Sequence, residues 1–299
     1  MPGFFTKIIP VILIFFLGMF VKKIRLLGKS DADLFLKLVF NLTLPALTFL
    51  SVSTVKLQIE FFYLPFIAAF MLVISYFVAR LVSRAIPMDK KTMGVFLIGC
   101  MIMNTGFALP FFIAAFDLEG IAIYMFFDLG NVLFIFTFAY YIAMKYGSDD
   151  KDKKIDYTKF LRLPPVWGLL AGVIVNFAGI GVPEIASSFL ENLGTPTIPL
   201  IMLSLGIYFS PRPQNVFKIA TVLGIRIGVG LIFGLFIASL LDLSGVIRTI
   251  VIISCGAPVG YNTLIFATLE NLDKEFAASI VSISIFLGVF YIPILLFIL

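Results

Sequence analysis

The stretch Cys100-Met101-Ile102-Met103-Asn104-Thr105-Gly106-Phe107-Ala108-Leu109-Pro110 lies in the middle of a long apolar run. Ser254-Cys255-Gly256-Ala257-Pro258-Val259-Gly260-Tyr261-Asn262-Thr263 lies in the middle of another. Each places Gly, Pro, side-chain amides and hydroxyls where an uninterrupted membrane span would carry Leu or Val. In hydrocarbon an unpaired backbone group is costly, so a broken helix persists only where it is buried in protein or lines a wet cavity. Two such breaks at corresponding places in two half-chains point to the binding site of a transporter.

The surrounding sequence fits that reading. The 299 residues are 61% hydrophobic and 13% charged, with a mean hydropathy of +1.11. A soluble domain carries about 25% charged residues. The composition therefore predicts an all-α polytopic membrane protein. Ten stretches approach the roughly 20 apolar residues that a span requires: 4–21, 34–52, 61–82, 93–116, 121–144, 166–182, 189–209, 219–241, 247–269 and 276–299. The run after Lys7 lacks a small-residue cleavage site and reads as a first span rather than a signal peptide. Most of the 22 Lys and Arg residues fall in alternate loops, among them Lys22, Lys23 and Arg25 after the first span and Arg80, Arg84, Lys90 and Lys91 after the third. The positive-inside rule places those loops in the cytoplasm and both termini outside the cell membrane. The net charge of +5 is thus a topology signal and does not indicate nucleic-acid binding.

Composition also excludes chemistry. With no His there is neither a histidine metal site nor a histidine proton relay. Cys100 and Cys255 sit in apolar runs and read as buried free thiols. There is no paired-carboxylate site, phosphate-cradling loop or metal-ligand cluster, so neither an enzyme nor a bound cofactor is expected. A channel would need a continuous polar path, whereas the polar residues concentrate at mid-depth.

A polar, mixed-charge linker at 146–163 divides the chain into 1–145 and 164–299, five expected spans each. A constant offset of 154 takes Pro10 to Pro164, Gly18 to Gly172, Pro45 to Pro199 and Gly106 to Gly260, and pairs Phe107 with Tyr261. An odd number of spans per copy turns the second copy upside down, the inverted-repeat plan of secondary transporters. In the fourth span Gly106 permits unwinding, and Pro110, lacking an N–H, is suited to open a new half-helix. In the ninth span Pro258 is flanked by Gly256, Gly260 and Asn262. Two breaks meeting at the midplane aim positive half-helix N-termini at one small volume, which favours an anion such as a carboxylate. Asn104, Thr105, Val259, Tyr261, Asn262 and Thr263 are the candidate contacts, with Asn41, Thr43 and Thr197 bent towards them from the Pro45 and Pro199 helices.

Two ionisable residues lie within spans. Asp128 and Arg226 are each about 10 Å deep, counted at 1.5 Å per residue from opposite faces, which makes a direct ion pair doubtful. Intramembrane charges are functional candidates because lipid exposure is costly. Asp128, with Asn131 on the same helical face, could bind a coupling proton or sodium. Arg226 could attract an anion or snorkel to the inner interface.

Asn41-Leu42-Thr43-Leu44-Pro45, Asn104-Thr105-Gly106-Phe107 and Ala257-Pro258-Val259-Gly260-Tyr261-Asn262, on a five-plus-five plan, resemble the auxin efflux carrier family over essentially the whole chain. The resemblance implies a fold similar to bile acid/sodium symporters, with the fourth and ninth spans crossing between a scaffold and a transport domain. It also implies transport of a small organic anion, auxin-like or malate/malonate-like, by elevator-type displacement, and a homodimer in the lipid. The short linker departs from the long cytoplasmic loop of many plant members. A non-transporting sensor and a cation/proton antiporter using Asp128 are the competing readings.

Overall fold

The computed structural model describes residues 2–147, 163–210 and 215–299; most of the linker expected at 146–163 lies outside the described residues. Among the described residues all regular secondary structure is helical, apart from one isolated bridge. The helices are α1 (Pro2–Lys23), α2 (Lys29–Leu38), α3 (Leu44–Thr54), α4 (Leu64–Val82), α5 (Lys90–Met101), α6 (Thr105–Phe134), α7 (Tyr140–Gly147), α8 (Pro164–Phe177), α9 (Glu184–Gly194), α10 (Thr197–Tyr208), α11 (Val216–Leu223), α12 (Gly230–Leu240), α13 (Gly245–Cys255), α14 (Asn262–Leu269) and α15 (Lys274–Ile298). Wide π-helical turns at Val39–Thr43, Ile135–Ala139 and Gly224–Val229 join α2 to α3, α6 to α7 and α11 to α12.

Local sequence sets several of these boundaries. The Asp89 carboxylate accepts from the N–H groups of Lys91 and Thr92 at 2.9 and 3.0 Å and starts α5. The Thr92 hydroxyl, followed by its N–H, holds the Asp89 carboxyl below its ordinary range. Proline occupies the first turn of α8, where its missing N–H costs nothing, while Pro45 follows directly on the π-helical turn that leads into α3. A large apolar belt faces outward from the bundle: Phe66 is 75% exposed, Ile185 88% and Ile232 70%. Water would not tolerate so extensive a surface, whereas lipid requires it.

Six helical runs are long and apolar enough to cross a membrane: Phe4–Lys23, Lys29–Thr54, Ile59–Ala85, Thr105–Gly147, Val216–Leu240 and Lys274–Ile298. The Thr105–Gly147 run is not one rod. Asp117 has φ 51° and ψ −134°, a sharp reversal inside it. The side chains fold back around that residue: Phe112 packs on Tyr124, and Thr105 bonds Asp128 and Asn131. Lys7 pairs with Asp117 at 3.2 Å on the exposed tip of this hairpin. The expected seventh span at 189–209 is divided into α9 and α10 by a turn at Thr195 and Pro196.

Helix packing carries a regularity. In the α1–α10 contact Gly18 lies against the Leu203 carbonyl, and in the α3–α8 contact Gly172 lies against the Phe49 carbonyl. Lys22 Nζ donates to Phe209 O at 2.6 Å, while Asn176 Nδ2 donates to Val55 O at 2.7 Å. Thr197 Oγ1 donates to Thr43 Oγ1 at 2.7 Å across a sequence separation of 154. The first two pairs exchange under that same number: 18 and 203 become 172 and 49, and 22 and 209 become 176 and 55.

Candidate functional site

The two quoted stretches meet. α5 ends at Met101, α6 begins at Thr105, and residues 102–104 between them are extended. α13 ends at Cys255, α14 begins at Asn262, and residues 256–261 are non-helical. Met103 and Val259 form an isolated antiparallel bridge. Asn104 N donates to Pro258 O and Gly260 N to Ile102 O, both at 2.8 Å.

Breaking a helix in an apolar interior frees carbonyls and N–H groups that must find partners, and here the neighbours supply them. Tyr291 donates to Gly256 O at 2.7 Å, and Val259 N donates to Ser284 Oγ at 3.0 Å. Asn104 Nδ2 lies 3.4 Å from Val259 O, and its Oδ1 accepts from Phe107 N at 3.2 Å, capping α6. Three further carbonyls converge on Arg226, whose side chain is fully buried. Its Nη1 donates to Cys100 O at 3.1 Å, Met101 O at 3.2 Å and Ser75 Oγ at 3.4 Å, and its Nη2 donates to Cys255 O. Gly230 makes room for this contact, since a Cβ there would strike both the Cys255 carbonyl and Arg226 Nη2.

A second polar cluster stands at the start of α6. Asp128 Oδ1 accepts from Thr105 Oγ1 at 2.5 Å and from Asn131 Nδ2 at 2.8 Å. Asn131 Nδ2 also reaches Thr105 Oγ1 at 3.0 Å, and the Tyr124 hydroxyl touches both Thr105 and Asp128. A Cβ on Gly106 would meet nothing within 4 Å, so the first turn of α6 adjoins open space. Asn131 Oδ1 and Thr263 Oγ1 are buried without a hydrogen-bond partner. Such groups usually mark a place for a ligand or water.

Beside the start of α14 is a small cavity of about 70 Å³, whose polar lining comes from Lys29, Tyr208, Ser210, Tyr261 and Ser282. Tyr208 and Tyr261 pack with ring centroids 4.8 Å apart, and Tyr208 donates to Asp33. A wider crevice of about 340 Å³ opens beside the Asp117 reversal, lined by Leu47, Leu118, Glu191, Thr197 and Ile198 among others.

These positions amend several expectations. Pro110 does not open the half-helix; it is the sixth residue of α6, because the Asn104 cap already starts the helix at Thr105. Gly106 is helical, and the unwinding falls on 102–104 instead. Asn41 is exposed and donates to Lys37 O at 2.8 Å. It stands two residues from Thr43, on roughly the opposite side of the π-helical turn, so the buried Thr43–Thr197 pair turns Asn41 away from the crossing. Arg226 neither snorkels nor lines a vestibule: α11 starts at Val216, ten residues earlier, which carries Arg226 to the level of the breaks. Asp128 is likewise level with the break, eleven residues from the Asp117 reversal. Asn104, Val259 and Pro258 lie in the crossing itself, while Tyr261 immediately precedes α14 and Asn262 and Thr263 begin it. Lys29, Tyr124, Tyr208 and Ser282 were not anticipated. Two had a signal in the sequence: Tyr124 is one helical turn from Asp128, and Ser282 is Asp128 shifted by 154.

All-helical, belted with apolar side chains and interrupted where two helices meet, the chain falls in the class of membrane transport proteins. It belongs to the membrane transport protein family, that of the auxin efflux carriers, whose model matches residues 3–296. It is 28% identical over 294 residues to an uncharacterized transporter of Methanocaldococcus jannaschii, covering 93% of this chain and 92% of that protein. It is 26% identical over 298 residues to an uncharacterized transporter of Methanothermobacter thermautotrophicus, covering 98% and 97% respectively.

Proposed function

We propose that this chain is a secondary carrier for a small organic anion, built as two inverted five-span repeats, 1–145 and 164–299. The observation that carries the proposal is the backbone bridge between Met103 and Val259, which brings four half-helix ends together. The packing pairs related by 154 residues support the duplication. On this reading the ten spans comprise the six long runs, with the Thr105–Gly147 run shared between the fourth and fifth, and the short and broken helices supplying the rest. Both termini lie outside the cell membrane.

Each half-helix N-terminus carries about half a positive elementary charge. At α6 the Asp128 carboxylate already answers that charge through Thr105. At α14 the position corresponding to Asp128 is Ser282, which is uncharged and faces the cavity with Lys29 and Tyr261. The substrate carboxylate therefore binds between the two starts, taking hydrogen bonds from Asn104, Tyr261, Asn262 and Thr263, with Lys29 drawing it in. A second negative charge beside Asp128 is unfavourable, so a proton joins Asp128 as the anion arrives. The crevices of about 70 and 340 Å³ support access from the two sides in turn, by displacement of the body that holds the crossing.

The test is flux. Purified full-length protein in proteoliposomes is expected to carry a radiolabelled mono- or dicarboxylate such as malonate faster than protein-free vesicles. Ligand-dependent stabilisation with no flux across a panel of carboxylates would favour a sensor. The Asp128 cluster also suits a cation/proton antiporter, which would move protons in exchange for cations with no organic acid present.

A further inference from the structure

Arg226 has an environment that a buried cation rarely tolerates. It is fully buried, and the groups paired with its guanidinium among the described residues are three backbone carbonyls and one hydroxyl, with no carboxylate. An unpaired buried charge is costly, so a compensating negative charge must lie close by. The carbonyls identify it. Cys100 O and Met101 O end α5, and Cys255 O ends α13. A helix C-terminus carries about half a negative elementary charge, so two of them together answer one guanidinium.

In carriers built on broken helices, C-terminal ends and unwound carbonyls are the groups that coordinate sodium. Here six of them are already engaged. Cys100, Met101 and Cys255 give their carbonyls to Arg226, Ile102 to Gly260 N, Pro258 to Asn104 N and Gly256 to Tyr291. A sodium ion at this place would have to displace a covalently tethered cation from the same oxygens. We propose that Arg226 is the resident cation of the crossing, filling the place among the half-helix carbonyls that sodium would need, so that transport runs without sodium. The proposal rests on the carrier reading for its transport consequence, while its structural half stands apart from it. Position 72, which corresponds to 226 under the 154 shift, is Leu, so one cation serves both helix ends.

The experiment measures the melting temperature of the detergent-purified full chain in sodium chloride and in choline chloride at equal ionic strength, for wild type, Arg226→Lys, Arg226→Met and Arg226→Ala. Wild type is expected to melt alike in both salts, and its carboxylate uptake to be the same in both. Arg226→Met should lose several degrees and most of its uptake, with Arg226→Lys intermediate. In Arg226→Ala, low-millimolar guanidinium should restore part of the lost stability, and sodium should now stabilise relative to choline. Sodium-specific stabilisation or sodium-dependent uptake in wild type would overturn the proposal, even if no variant folds. Unchanged stability and uptake in Arg226→Met would overturn it too. If wild type carries no carboxylate in either salt yet the melting pattern holds, the carrier reading fails and the resident cation remains.

Discussion

Asn104→Ala is expected to weaken carboxylate uptake in proteoliposomes by about 10- to 100-fold while lowering stability by only about 1 kcal/mol. The two figures have different sources. Asn104 Oδ1 caps α6 through Phe107 N, and removing an N-cap typically costs about 1 kcal/mol. Its Nδ2 makes only a long 3.4 Å contact with Val259 O, which leaves donor capacity for a bound anion. A hydrogen bond to a charged group is worth roughly 1.5–3 kcal/mol, or about one to two powers of ten in affinity. Asn104→Ser separates the roles, because serine caps as well as asparagine but lacks the amide donor. It should melt close to wild type and still carry poorly. Wild-type uptake by both variants would remove Asn104 from the substrate contacts.

Asp128→Asn is expected to uncouple transport from the proton gradient without stopping it. For one proton per anion, a pH difference of one unit supplies about 1.4 kcal/mol and raises accumulation about tenfold. The asparagine can still accept from Thr105 and Asn131, which now bond the carboxylate oxygen at 2.5 and 2.8 Å, so the local geometry survives. The variant should exchange labelled for unlabelled anion across the membrane yet gain nothing from an imposed pH difference. Gradient-driven accumulation equal to wild type would place the coupling elsewhere.

Much of this was legible in the sequence, because the physics behind it is local. Gly, Pro and amide side chains in hydrocarbon require a broken helix, and both breaks fall within the quoted stretches. The spacing of Asp128 and Asn131 on one helical face follows from periodicity, and the offset of 154 reappears as a direct bond between Thr43 and Thr197. What was not legible depends on three-dimensional reversal. The spans ending at 116 and starting at 121 place a turn where Asp117 adopts a positive φ, but which side chains meet across it, Thr105 with Asp128 and Asn131, is set by how the two helices pack. Arg226 could be given a depth along its own span, but not the two helix ends that converge on it. Pro110 was the obvious breaker in its stretch, yet the Asn104 side chain starts α6 upstream and the proline is absorbed into the helix. Asn41 was placed by its neighbours in sequence, whereas a wide turn decides which way it faces.

The account depends on the two interruptions lying backbone to backbone inside the protein, and cross-linking tests this most directly. Met103 and Val259 are opposed in the arrangement flanked by, rather than joined by, the two backbone hydrogen bonds. Their Cα atoms should then be about 4.5 Å apart, within the range a disulfide spans. In a chain carrying Cys100→Ala and Cys255→Ala, the pair Met103→Cys and Val259→Cys should close to an intramolecular disulfide under a membrane-permeant oxidant, as read by mass spectrometry of the bridged peptides. Two free thiols in folded, oxidised protein would mean that the broken helices do not meet, and the carrier site drawn between them would be contradicted.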